Sequence, residues 1–166
     1  MPKESNSIGP STWTTASNGL LDDINRRLLA ELSDDPRMGM SALARRVKMS
    51  APAVTERVQR LERAGVITGY RLDINPAALG LPVTAFARIR PAAGQLSKVA
   101  DLARSLAQVT ECHRITGEDC FLIKVHAAAV EELETLLDQF LTYGQTVTSI
   151  VVSTPVQPRP LPVETE

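Results

Sequence analysis

Residues Ser41 to Gly65 constrain this chain more than any other stretch, because they read as two short helices joined by a tight turn. Ser41 is placed to cap the first helix, whose apolar positions Leu43, Ala44 and Val47 share one face. Ser50 is placed to cap the second, Pro52 is tolerated in its first turn, and Gly65 ends it. Val54, Val58, Leu61 and Gly65 are spaced four, three and four apart, which buries one stripe of the second helix. Thr55, Glu56, Gln59, Arg60 and Arg63 are left pointing outward, with Arg57 at the edge of the stripe. A capped, arginine-bearing helix set across a short turn from a smaller one is the layout of a DNA-reading helix-turn-helix. The alternative on these residues alone is a helical hairpin with a solvated basic face.

Charge separates the two readings. The chain carries a formal net charge of −1, but Arg37 to Leu72 hold eight basic and two acidic residues, a local +6. The remainder is therefore −7. Phosphate affinity follows local charge, so a near-neutral total is compatible with a basic head on an acidic body. Such asymmetry points to two domains, which 166 residues can supply.

No apolar run approaches the roughly 18 residues of a membrane span, and the polar N-terminus has no signal-peptide layout. A soluble, cytoplasmic protein without a membrane partner is expected. Cys112 and Cys120 fall in one β-hairpin. With a turn at Gly117-Glu118-Asp119, Thr116 faces Cys120 and Cys112 faces Lys124, so no disulfide follows. Cys112, Cys120 and His126 then share a sheet face, but their spacing matches no zinc motif. Reduced thiols, no metal site and no cofactor are expected.

Residues 1–19 read as a disordered tail. A helix follows from Asp22 to Ser33, with Leu21, Ile24, Leu28 and Leu32 at helical spacing. Val66 to Leu72 is extended, giving a winged-type helix-turn-helix domain over 20–72, and 73–80 reads as a linker. Within 81–156 the pattern changes. A strand at 82–90, a helix marked by Leu96, Val99, Ala103 and Leu106, a hairpin of 109–116 with 120–127, a helix from Val130 to Leu141 and a strand at 146–154 follow in order. Residues 157–166 form a proline-rich C-terminal tail.

The order β-α-β-β-α-β is the ferredoxin-like arrangement, a four-stranded antiparallel sheet with both helices on one face. The fold class is thus α+β. The other sheet face is expected to present Cys112, Arg114, Leu122, Lys124 and His126, and an uncovered face with apolar members packs on a partner. A homodimer through this domain follows, and a two-fold suits two recognition helices reading two half-sites.

A helix-turn-helix head joined by a short strand to a βαββαβ domain resembles the Lrp/AsnC family of feast/famine regulators. The resemblance runs from Leu21 to Val156. It is carried by Leu21-Asp22, by Leu43 to Val47, by Arg57 to Glu62 and by Gly65-Val66-Ile67 with Gly69-Tyr70. In the second domain it is carried by Thr116-Gly117-Glu118-Asp119 and by Thr146, Thr148 and Ser149. The chain departs from the family pattern at Lys48, where the turn often has glycine, and a non-glycine left-handed residue costs about 1–2 kcal/mol. It departs again at Glu118 to Phe121, where an aromatic and a second acid are commoner.

On this reading the second helix presents Ser50, Ala51, Ala53, Thr55, Glu56, Arg57, Gln59 and Arg60 to the major groove of double-stranded DNA or its walls. Arg45, Arg46, Lys48 and Arg63 are expected at phosphates. The competing role for Arg57 is an ion pair with Glu56 or Glu62. The resemblance further implies a small effector, usually an amino acid, bound where dimers meet near the hairpin turn. Glu118 or Asp119 would neutralise its ammonium, N–H groups near Gly117 would donate to its carboxylate, and Thr116, Thr146, Thr148 and Ser149 would add hydroxyls. The competing role for that turn is a plain hairpin with solvated acids. Assembly to a tetramer or octamer that shifts with effector is expected.

Two other functional classes compete with a sequence-specific regulator. One is a chromatin-like protein of low DNA specificity; the other is an amino-acid-binding module of a metabolic enzyme. His113 and His126 are the only histidines, and no phosphate loop, nucleophile elbow or metal-ligand cluster is present in the sequence, so catalysis is not expected.

Overall fold

The computed structural model describes residues 19–164. The expected N-terminal tail therefore lies outside the described residues except for Gly19. The chain divides into two units, one comprising the described residues up to Arg71 with those from Pro158 onward, the other running from Leu72 to Gln157.

In the first unit three helices form, α1 (Asp23–Asp34), α2 (Met40–Val47) and α3 (Ala51–Arg63). Asp22 caps α1 by accepting the Asn25 amide, which makes the Asp22–Asp23 pair a start signal. Leu28 and Leu32 of α1, Leu43, Ala44 and Val47 of α2, and Val54 and Val58 of α3 close a single core. Leu61 is also fully buried. The apolar spacing of both later helices is thereby accounted for. Ser41 does not cap α2: the helix begins two residues earlier than that cap would place it, at Met40, whose side chain packs on the core, and Gly39 takes the cap position without a side-chain bond. Residues 66–72 form no strand. Ile67 packs onto the helical core instead. The expected linker contains a short 3-10 helix, Pro76–Leu79, capped by the Asn75 side chain.

The second unit is β1 (Val83–Pro91), α4 (Leu96–Ser105), β2 (Val109–Arg114), β3 (Phe121–Ala127), α5 (Val130–Leu141) and β4 (Gly144–Ile150). The sheet order is β2-β3-β1-β4 with every pair antiparallel. Ala85, Ala87 and Ile89 of β1 and Phe121, Ile123 and Val125 of β3 face Val99, Ala103, Leu133, Leu137 and Phe140 of the two helices. The ferredoxin-like arrangement is thus the observed one. The last strand ends at Ile150, four residues short of the expected Thr154, with Val151 making one further bond to the Thr84 carbonyl.

The hairpin register differs from the expected one. Ile115, not Thr116, stands opposite Cys120, and the loop is the four residues Thr116–Asp119. One added loop residue slides Glu111 to Arg114 by one position and turns their side chains to the other face, while a bulge before Glu111 keeps Val109 on the helix side. Cys112 therefore pairs with Ile123 and Arg114 with Phe121, on the helix side, where the Arg114 guanidinium lies over the Phe121 ring at 5.8 Å. The open face carries Glu111 and His113 in their place, beside Leu122, Lys124 and His126. Cys112 and His126 thus do not share a face. Burial pushes the Cys112 thiol above its ordinary value, with the Arg104 guanidinium opposing.

Candidate nucleic-acid interface and ligand loop

The turn between α2 and α3 consists of Lys48, Met49 and Ser50. Lys48 is left-handed (φ 57°, ψ 44°) and is the non-glycine residue with positive φ among those described. The Met49 amide donates to the Ala44 carbonyl and the Lys48 amide to that of Arg45, at 2.9 and 3.3 Å. These two bonds make a Schellman motif with lysine where glycine normally sits. At the far end of α3 the same motif recurs with Gly65 (φ 72°), the Val66 amide reaching Leu61 and the Gly65 amide Glu62.

Within that frame α3 buries Val54, Val58 and Leu61 and exposes Glu56, Gln59, Arg60 and Arg63, with Ala51, Ala53 and Thr55 half-buried. Ser50 occupies the N-cap position, but its hydroxyl makes no cap bond and is exposed. The Thr55 hydroxyl donates to the Ala51 carbonyl at 2.9 Å. Arg60 pairs with Glu56 at 3.0 Å in an exposed i,i+4 bridge, and Arg46 pairs with Glu31 of α1 at 3.0 Å. Such exposed pairs contribute about 0–1 kcal/mol and exchange readily for a phosphate. Arg45, Lys48 and Arg63 are exposed and make no ion pair among the described residues.

Arg57 behaves differently from its neighbours. Neither Glu56 nor Glu62 is its partner. Its Nη1 donates to Asp22 Oδ2 at 2.7 Å and to Asn25 Oδ1 at 3.0 Å, both on the far side of the helical core in sequence. Its side chain is 25% exposed, against 55% for Arg60. Desolvation would raise the Asp22 carboxyl, but Arg57, the Asn25 amide and the more distant Arg60 outweigh it and hold it below the ordinary value.

In the second unit the loop Thr116–Asp119 brings two carboxylates against two arginines that sequence reading did not place there. Glu118 pairs with Arg90, while Asp119 lies 3.5 Å from Arg90 and 3.8 Å from Arg88. Strand alternation puts Arg88 and Arg90 on the open face beforehand, but only the loop conformation reveals what they meet. Thr116 and Gly117 are exposed at the loop tip. Thr146 and Thr148 stand opposite Ile89 and Ala87, on the helix side, whereas Ser149 stands opposite Phe86 on the open side. The three hydroxyls are therefore not brought together, and only Ser149 shares the face of Arg88 and Arg90. That open face also carries the Glu111–Lys124 pair at 3.1 Å and exposes Phe86 and Val147. No group of three metal-ligating side chains occurs among the described residues.

Comparison with known proteins accounts for both units. Residues 21–68 match the winged helix-turn-helix DNA-binding model, and residues 84–161 match the Lrp/AsnC ligand binding domain. The HTH-type transcriptional regulator LrpC of Bacillus subtilis is 34% identical over 80% of this chain and 92% of its own length. The HTH-type transcriptional regulator LrpA of Mycobacterium tuberculosis is 36% identical over 82% of this chain and 93% of its own. Among solved structures, the feast or famine regulatory protein of M. tuberculosis complexed with L-methionine superposes with a TM-score of 0.79. It is 35% identical and covers 85% of this chain and 98% of its own. Matches in both units, in the same order and over most of each relative, identify a transcriptional regulator rather than an enzyme, and the chain belongs to the Lrp/AsnC family.

Proposed function

We propose that this regulator reads a specific DNA sequence through α3 and that an amino acid bound at the Thr116–Asp119 loop alters that reading. The observation that carries the first part is that α3 buries Val54, Val58 and Leu61 and turns Gln59, Arg60 and Glu56 outward, beside the exposed cations Arg45, Lys48 and Arg63. Ser50, Ala51, Ala53, Thr55, Glu56, Gln59 and Arg60 form the reading face; Arg45, Arg46, Lys48 and Arg63 contact phosphates.

For the second part, support comes from the charge-balanced cluster of Arg88, Arg90, Glu118 and Asp119. A zwitterion inserts into such a cluster without leaving a net charge, its ammonium on the carboxylates and its carboxylate on the guanidiniums or on N–H groups near Gly117. The M. tuberculosis relative complexed with L-methionine makes an amino acid the first class to test. Ser149 shares the sheet face of this cluster, while Thr146 and Thr148 stand on the helix side of the same strand.

Two chains join through the open sheet face, where Phe86, Leu122 and Val147 lie among paired charges, and dimers assemble further. No described helix is long and apolar enough to cross a membrane, in keeping with action on cytoplasmic DNA. Titrating the purified protein with the common amino acids and following thermal unfolding and sedimentation tests the effector role. A rise in melting temperature with one class of amino acid, with a change in assembly, is expected; a flat response across all of them contradicts it.

A further inference from the structure

Arg57 lies on the helix proposed to read DNA, yet its guanidinium is committed to the opposite wall of the helical unit. One nitrogen, Nη1, forks between Asp22 at 2.7 Å and Asn25 at 3.0 Å. Both acceptors are themselves fixed. Asp22 is the N-cap of α1, and its other oxygen accepts the Asn25 amide at 2.7 Å. Asn25 is 3% exposed, and its Nδ2 donates to the Leu20 carbonyl at 2.6 Å. The chain Leu20–Asn25–Arg57–Asp22 is therefore continuous at the foot of α1, with the buried Asn25 amide bonded at both its oxygen and its nitrogen.

The apolar core alone holds α3 less specifically. Val54, Val58 and Leu61 make a stripe of similar branched side chains, and such a stripe tolerates small rotations about the helix axis. A directional, charge-assisted fork does not. Turning α3 by a few degrees moves Gln59 and Arg60 relative to base edges, where hydrogen-bond geometry decides between bases.

We infer that Arg57 is a positioning residue: its fork to Asp22 and Asn25 sets the rotation of α3 on α1, so operator recognition depends on it without contact between Arg57 and DNA. This rests on α3 being the reading helix. The link acts on specific binding, which needs correct base geometry, and leaves untouched the non-specific binding set by total phosphate-facing charge.

The test uses the full chain and a duplex selected from random sequence by the wild-type protein, with an unrelated duplex as control. Asp22→Asn keeps a competent cap but removes the charged acceptor, and Arg57→Ala removes the donor. Each is expected to weaken binding to the selected duplex about fivefold to tenfold, as loss of a charge-assisted hydrogen bond would. The double variant should be no weaker than the weaker single one. The salt slope and the affinity for unrelated DNA should stay as in wild type. Arg57→Lys, which keeps the charge but loses the fork, should fall between wild type and Arg57→Ala. All measurements are made well below each variant's melting temperature, so reduced stability alone leaves affinity unchanged.

The inference is overturned if Asp22→Asn binds the selected duplex as tightly as wild type or more tightly. It is overturned equally if Arg57→Ala lowers the salt slope by about one, the mark of a lost phosphate contact. Wild-type protein that fails to select any duplex refutes the reading role of α3 instead, and that result is separate from these.

Discussion

The carbonyl oxygen of Arg90 occupies the space where a side chain on Gly144 would begin: a Cβ there would lie 2.2 Å from it and 2.8 Å from Pro91 Cα. Both obstacles are backbone, so neither swings aside. Gly144 opposes Pro91 at the start of β4, and the Ala92 amide bonds to the adjacent Tyr143 carbonyl at 2.8 Å. The end of the sheet that carries Arg90, and with it the Glu118 contact, is closed by that approach.

Gly144→Ala should therefore lower stability by an amount near the upper end of the ~1–3 kcal/mol seen for overpacking. Urea unfolding followed by circular dichroism measures it. An unchanged midpoint would show that β4 can part from β1 at no cost.

Lys48 makes a second prediction. At φ 57° a glycine relieves about 1 kcal/mol of strain that alanine retains, while glycine's added freedom in the unfolded chain offsets part of the gain. Lys48→Gly should be about as stable as wild type or slightly more so, and more stable than Lys48→Ala. Both variants remove the same cation, so both should lower the salt slope of DNA binding by about one. Comparing melting temperatures and slopes of the two variants separates backbone from charge.

Much of this architecture was legible in the sequence, and the exceptions have physical causes. The stripe Val54, Val58, Leu61 and the alternation Ala85, Ala87, Ile89 are local periodicities, and local periodicity specifies which face is buried. The strain at Lys48 was legible only through the family resemblance, which often has glycine at that turn, and the structure places Lys48 in the left-handed region. The β2–β3 register was not legible. It depends on whether the loop has three residues or four, and Thr116 to Asp119 carry no residue that decides between them. The partners of Arg57 were not legible for a related reason: Asp22 and Asn25 are 35 and 32 residues away, and helical spacing shows only neighbours on the same helix. The Arg88 and Arg90 contacts to Asp119 and Glu118 are likewise non-local.

His126 makes stability depend on pH. It is 8% exposed and bonded through Nδ1 to the Thr84 hydroxyl at 3.0 Å. Desolvation and the Lys124 ammonium lower its pKa below the ordinary 6.5, with Glu111 opposing. The unfolded chain then takes up a proton that the folded chain refuses. Stability is full above the ordinary value and is lost as pH falls through 6.5 toward the lower folded value. Urea midpoints should drop between about pH 7.5 and about pH 5.5, and His126→Gln, neutral throughout, should lessen that drop. Glu111, held below its ordinary value against desolvation by Lys124 and His113, adds a loss only at more acid pH. Equal pH dependence in wild type and variant would exclude His126 as the source.

Among the described residues Arg60 pairs only with Glu56, across an exposed turn, so little is lost when it leaves that partner for a base. Arg60→Ala should weaken binding to a selected duplex by about 1–3 kcal/mol and relax preference at one position of the site. A uniform loss across sequences with a lower salt slope would reassign Arg60 to a phosphate.

The most direct test of the account is competition binding, with the selected duplex labelled and unrelated DNA added in excess near physiological salt. A sequence-reading α3 predicts that the labelled complex survives about a thousandfold excess of competitor, the lower bound for specific regulators. Loss of the complex in simple proportion to total DNA would contradict it and leave a basic head that binds without reading.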